Sequence, residues 1–152
     1  MVLRDGLVFG LIGSGFAIIV LVGAIFVGRE YPLSSFSSLT GTVLSFLIFG
    51  AAGRKIAIAT KDTTAAWQMG ALAGGVSELI RTVAISILVA LSPAGQAALN
   101  RLSPALQQAA QDPATQIANL AVYLAAGIVF GGLAAWLGAW SLLRFGPPSS
   151  KV

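Results

Sequence analysis

The sequence predicts an all-α, polytopic membrane protein: four transmembrane helices in a bundle, with short interfacial helices between the third and the fourth. Two observations carry this expectation. Apolar residues make up 57% of the 152-residue chain and charged residues 9%, whereas soluble domains carry charge on about a quarter of their residues. The few charges also fall between four stretches long enough to cross a hydrocarbon core of about 30 Å, a crossing that takes about 20 apolar residues in a helix. The chain has no Cys and no His. It therefore lacks the usual ligands of zinc, haem iron and iron–sulfur clusters, the Ser-His and Cys-His catalytic pairs, and any disulfide. No metal site and no cofactor are expected.

The first span covers about residues 6–28, which carry no charge, and Arg29 and Glu30 close it. Its apolar stretch exceeds the roughly 7–15 residues of a cleaved signal peptide, so a retained signal anchor is expected. The second span, about 36–54, begins in a Ser-rich stretch after Pro32 and ends at the Arg54-Lys55 pair. The third, about 65–91, is broken only by Glu78 and Arg81. The fourth, about 113–143, ends at Arg144.

Between the third and fourth spans, Ser92-Pro93, Ser103-Pro104 and Asp112-Pro113 each join an N-capping side chain to a residue preset for a first helical turn. Two short helices are expected, over 93–102 and 104–111, with Asp112 capping the last span. Leu99, Leu102 and Leu106 form an apolar edge, and Asn100, Arg101 and the Gln residues face water. Residues 93–111 read as a helical connector on the outer surface, or as a lid on which a partner docks. Residues 146–152 begin Gly-Pro-Pro and read as a flexible tail. The four spans and their connectors form a single domain.

Arg4, Arg54, Lys55, Lys61, Arg144 and Lys151 fall on one side of the membrane and only Arg29 and Arg101 on the other. This bias predicts both termini in the cytoplasm of a multi-pass protein of the cell membrane. The net charge of +4 serves topology and contact with anionic lipid heads. Nucleic-acid binding would need a basic surface domain, and none is expected. A faint internal repeat aligns Gly6-x3-Gly10 with Gly70-x3-Gly74, and the Phe49-Gly50 stretch with Phe130-Gly131. Two tandem hairpins of one orientation produce such a pattern, and so does chance in Gly/Ala-rich helices.

Small residues recur at helical spacing, and in a membrane they let helix backbones approach closely. Gly6 and Gly10 with Ser14, Gly70 and Gly74, and Gly127, Gly131 and Gly138 are the expected packing seams. They serve contacts within the bundle, or contacts with another copy or another membrane protein.

Glu78 and Arg81 are the sharpest candidates for a site. Counting from Ala65 at about 1.5 Å per residue puts Glu78 near the midplane, where charged residues are rare, paired and turned toward protein. The i, i+3 spacing lets the two neutralise each other. Three roles fit: a structural ion pair, a proton or ion relay, and recognition of a charged group on a partner helix. Asn119, Tyr123, Ser14 and Ser45 extend a polar track, although Ser and Thr hydroxyls also bond their own helix backbone. Tyr31, Trp67, Trp136 and Trp140 lie near the span ends as interfacial anchors.

An enzyme is hard to build from these parts. The carboxylates outside the spans, Asp5, Glu30, Asp62 and Asp112, are not paired for acid–base work. Gly50-Ala-Ala-Gly53-Arg54-Lys55 lacks the spacing of a phosphate loop.

With Gly50-Ala51-Ala52-Gly53-Arg54-Lys55 closing one span and Gly70-Ala71-Leu72-Ala73-Gly74-Gly75 opening the next, the layout resembles the small four-helix bacterial membrane proteins of unknown function. That resemblance implies a topology in a bacterial inner membrane and no activity. Size and helix count also match small dual-topology fluoride channels, but the Asn-bearing second helix and Phe-bearing broken third helix of that family are missing. The expected function is a non-enzymatic accessory or scaffold subunit, packed against itself or a larger membrane complex. The contrasting expectation is a small oligomeric transporter or channel using Glu78 and Arg81.

Overall fold

The computed structural model describes residues 1–26, 32–91 and 93–146. Six helices follow in order: α1 (Val2–Phe26), α2 (Pro32–Thr60), α3 (Thr63–Leu91), α4 (Pro93–Asn100), α5 (Pro104–Gln111) and α6 (Pro113–Phe145). Among the described residues there is no strand. Among the described residues, three helical segments, Gly41–Thr60, Thr63–Ile87 and Pro113–Phe145, are long and apolar enough to cross a membrane. Their residues favour helix because an unsatisfied backbone N–H or C=O in hydrocarbon costs several kcal/mol, and a helix satisfies its own.

The helix ends show the local chemistry. Asp112 caps α6: its carboxylate accepts from the Thr115 backbone N–H at 2.9 Å and the Thr115 hydroxyl at 2.7 Å. Those bonds hold the Asp112 carboxyl below its ordinary pKa, the Thr115 hydroxyl first and its N–H second. Ser103 stands at the N-cap of α5 without a side-chain cap bond. Ser92 and Tyr31 lie outside the described residues. Gln96, Gln108 and Gln111 are exposed, and two Gln side chains also tie the connector together. Gln107 Nε2 donates to the Leu102 carbonyl at 2.9 Å, and Gln116 Nε2 to the Ala110 carbonyl at 2.9 Å. Leu102 and Leu106 are both exposed.

One expected boundary is corrected. α2 does not stop at Arg54-Lys55 but runs on to Thr60. The charged pair marks where a segment can leave hydrocarbon, and nothing in Arg or Lys stops a helix there. The stop comes at Lys61, whose φ of 57° is left-handed and whose N–H bonds the Ala57 carbonyl at 2.9 Å. Asp62 then starts α3 by accepting the N–H groups of Thr64 at 2.7 Å and Ala65 at 3.3 Å.

The long helices pack in five pairs, α1 with α2, α1 with α3, α2 with α3, α2 with α6, and α3 with α6, the last being the most extensive. α1 and α3 run parallel, with Gly6 against Leu72 and Gly10 against Val76. α3 and α6 run antiparallel, with Gly70 against Gly131 and Gly74 against Gly127. The start of α1, the Lys61-Asp62 turn and the end of α6 therefore share one end, and α4 and α5 occupy the other. The core of Phe49, Ala52, Ile56, Ala57, Ala66, Met69, Ala73, Ala134, Ala135 and Ala139 lies toward the first of these ends.

Candidate functional site

Among the residues whose burial is described, close packing stops at one level. Ser14 is the last buried residue described on α1, Phe49 the first on α2, Ser77 the last on α3 and Gly127 the first on α6. Toward the turn end, backbones meet with no side chain between them. A Cβ on Gly74 would strike the Gly127 carbonyl, one on Gly131 the Gly70 carbonyl, and one on Gly138 the Gly50 carbonyl. Every glycine named from the sequence as a packing position thus lies against another helix of the same chain: Gly6, Gly10, Gly70, Gly74, Gly127, Gly131 and Gly138.

Glu78 and Arg81 stand where this packing ends. Arg81 Nη2 lies 2.8 Å from Glu78 Oε2, and Arg81 Nε donates to the same oxygen at 3.0 Å. The aliphatic part of Glu78 crosses the Gly127 backbone, where a Cβ would collide with Glu78 Cγ. Only a glycine on α6 leaves room for it. Fifteen residues into α3, Glu78 is about 22 Å along a helix of about 43 Å. The Glu78 side chain is 24% exposed and that of Arg81 38%.

The other predicted polar residues do not join them. The Ser14 hydroxyl, though buried, donates to the Leu11 carbonyl of its own helix at 2.9 Å. Asn119 is exposed, Tyr123 is 49% exposed and Ser45 is half-buried. Of the predicted anchors, Trp67 is half-buried, and a Cβ on Gly132 would meet its ring at 2.9–3.0 Å. It packs between helices. Trp136 and Trp140 stack with centroids 6.3 Å apart, and the Arg144 guanidinium sits 5.2 Å from the Trp140 ring centre.

A second charged cluster goes beyond the sequence reading, which gave Asp5 no partner for acid–base work and none on another helix. Asp5 is 3% exposed. Lys55 Nζ on α2 lies 3.4 Å from its Oδ2, and Arg4 Nε lies 3.5 Å from its Oδ1. Lys55 also sits 5.5 Å from the Phe9 ring centre, so one lysine clasps α1 twice. Asp5 Oδ2 has no hydrogen-bond partner. No stretch of sequence places Lys55 beside Asp5; the antiparallel register of α1 and α2 does.

Among the described residues no cluster of three or more Asp, Glu, His or Cys side chains is placed to hold a metal ion. Compared with protein-family models, with curated proteins and with solved structures, the chain matches none.

Proposed function

We propose that the chain is a non-enzymatic accessory or scaffold subunit of the cell membrane that works by packing in the bilayer plane against other membrane proteins or itself. α1 completes a bundle of four spans in this reading, and both termini are cytoplasmic, because the described basic residues Arg4, Arg54, Lys55, Lys61 and Arg144 share the turn end.

One observation carries the proposal. The Glu78–Arg81 pair lies mid-way along a span and is 24% and 38% exposed in the isolated chain. Hydrocarbon does not solvate such groups, and each charge at that depth costs on the order of 2.5–3.5 kcal/mol. Mutual pairing lowers the cost, and a protein surface over the pair lowers it further. The large apolar residues exposed on α1 and α6, among them Leu3, Leu7, Leu11, Val122, Val129 and Leu133, suit lipid and need no such cover.

The test is purification from the native membrane in mild detergent, with mass spectrometry of what accompanies the chain. A stoichiometric partner, or a second copy, that is lost on replacing Glu78 by Gln and Arg81 by Gln is expected. A lone monomer that carries proton flux in liposomes, abolished by Glu78→Gln, overturns the proposal in favour of a transporter.

A further inference from the structure

The turn end carries more positive charge than its acids can meet. Among the described residues there, Asp5 is engaged by Arg4 and Lys55, and Asp62 is spent on the N–H groups of Thr64 and Ala65. Among the described residues, no carboxylate lies within 4.0 Å of Arg144. It is instead held by aromatic faces, 5.2 Å from the Trp140 ring centre and 5.8 Å from that of Phe145. A guanidinium stacked on rings keeps its N–H edge free for an anion.

The side chains leading to Arg144 form one strip, exposed except at the half-buried Trp140. Val129, Leu133, Trp136, Leu137, Trp140 and Arg144 recur at three- and four-residue spacing. Val129, 51% exposed, is the middle residue of α6. At about 1.5 Å per residue, Trp140 lies roughly 16 Å from Val129 and Arg144 roughly 22 Å. The hydrocarbon half-thickness is about 15 Å and the half-thickness including headgroups about 20–22 Å. The strip thus runs apolar through one leaflet, aromatic at its boundary and cationic at headgroup depth.

We infer that this strip is a binding site for one acidic phospholipid, its phosphate on the Arg144 guanidinium edge and its acyl chain along Trp136, Leu133 and Val129. The occupant is a lipid because charge, apolar track and depth match a single amphiphile. This inference does not depend on the α3 partner.

The full chain is placed in mixed phosphatidylglycerol–phosphatidylcholine nanodiscs and released for native mass spectrometry. One phosphatidylglycerol is expected to be retained in preference to phosphatidylcholine. Arg144→Gln should weaken that retention about fivefold, the loss of one cation at an anionic surface, and Arg144→Lys should weaken it less, since charge survives without the planar stack. Trp140→Leu should weaken it with charge unchanged. Far-UV circular dichroism confirms that each variant is helical, and Trp136→Leu replaces Trp140→Leu if the latter misfolds. Equal losses for Lys61→Gln and Arg144→Gln indicate a diffuse surface field and overturn the site, as does equal retention of the two lipids.

Discussion

Gly74→Ala tests the glycine seam between α3 and α6. The added Cβ would strike the Gly127 carbonyl oxygen, lie 2.8 Å from its carbonyl carbon and 3.1 Å from Gly131 Cα, against 3.4–4 Å for ordinary contact. The obstacle is backbone on both sides, with no flexible side chain to swing away. The helices must part by about 1 Å or more at that point before the oxygen clears, and such overpacking costs about 1–3 kcal/mol. The better helix propensity of Ala returns up to about 1 kcal/mol, leaving a net loss of about 1–2 kcal/mol. Gly15→Ala is the matched control: nothing lies within 4 Å of its Cβ, so propensity acts alone and stability rises slightly. Reversible unfolding in mixed micelles with increasing dodecyl sulfate, followed by far-UV circular dichroism, measures both. Equal stability of the two variants would refute the backbone-contact reasoning.

Three further outcomes are expected. Lys55→Met should destabilise by about 1–3 kcal/mol, because it removes the cation 3.4 Å from a buried Asp5 oxygen that has no hydrogen-bond partner; adding Asp5→Asn should recover part of the loss in the same micelle titration. Lys61→Gly should stabilise by about 0.5–1 kcal/mol, since a φ of 57° strains a residue with a Cβ, and no gain would mean that the turn is relaxed. The lowered pKa of Asp112 means that its cap is present above the carboxyl's ordinary pKa and is lost as pH falls through the lower, folded value. Amide hydrogen exchange at Thr115 should therefore speed up at the acid end of that window, and in Asp112→Ala it should be fast at every pH.

Much of the fold was legible because its signals are local. Hydropathy delimits the long helices, Ser-Pro and Asp-Pro pairs mark the starts of α5 and α6, and the i, i+3 spacing of Glu78 and Arg81 anticipates their 2.8 Å contact. What escaped depends on register between helices. Lys55 meets Asp5 only because α1 and α2 pack antiparallel, and Gly132 receives Trp67 only because of the α3–α6 alignment, which turns an expected interfacial ring inward. The overrun of α2 to Thr60 has another cause. Charge marks where a chain can leave the membrane, whereas the Lys61 conformation and the Asp62 cap decide where the helices end and begin. Asn119 and Tyr123 lie two turns and one turn before Gly127, the first buried residue of α6, so they fall beyond the level at which the helices pack closely, and composition does not specify where that level lies.

The protein cover proposed for the mid-depth ion pair is tested most directly by a spin label at Thr82→Cys, one turn beyond Glu78, in native membranes. The chain has no native Cys, so the label is unique. Protein cover predicts low collision rates with both lipid-borne oxygen and an aqueous nickel chelate. High oxygen accessibility would place the residue beside the pair against lipid, and high nickel accessibility would place it in water, and either result contradicts the account.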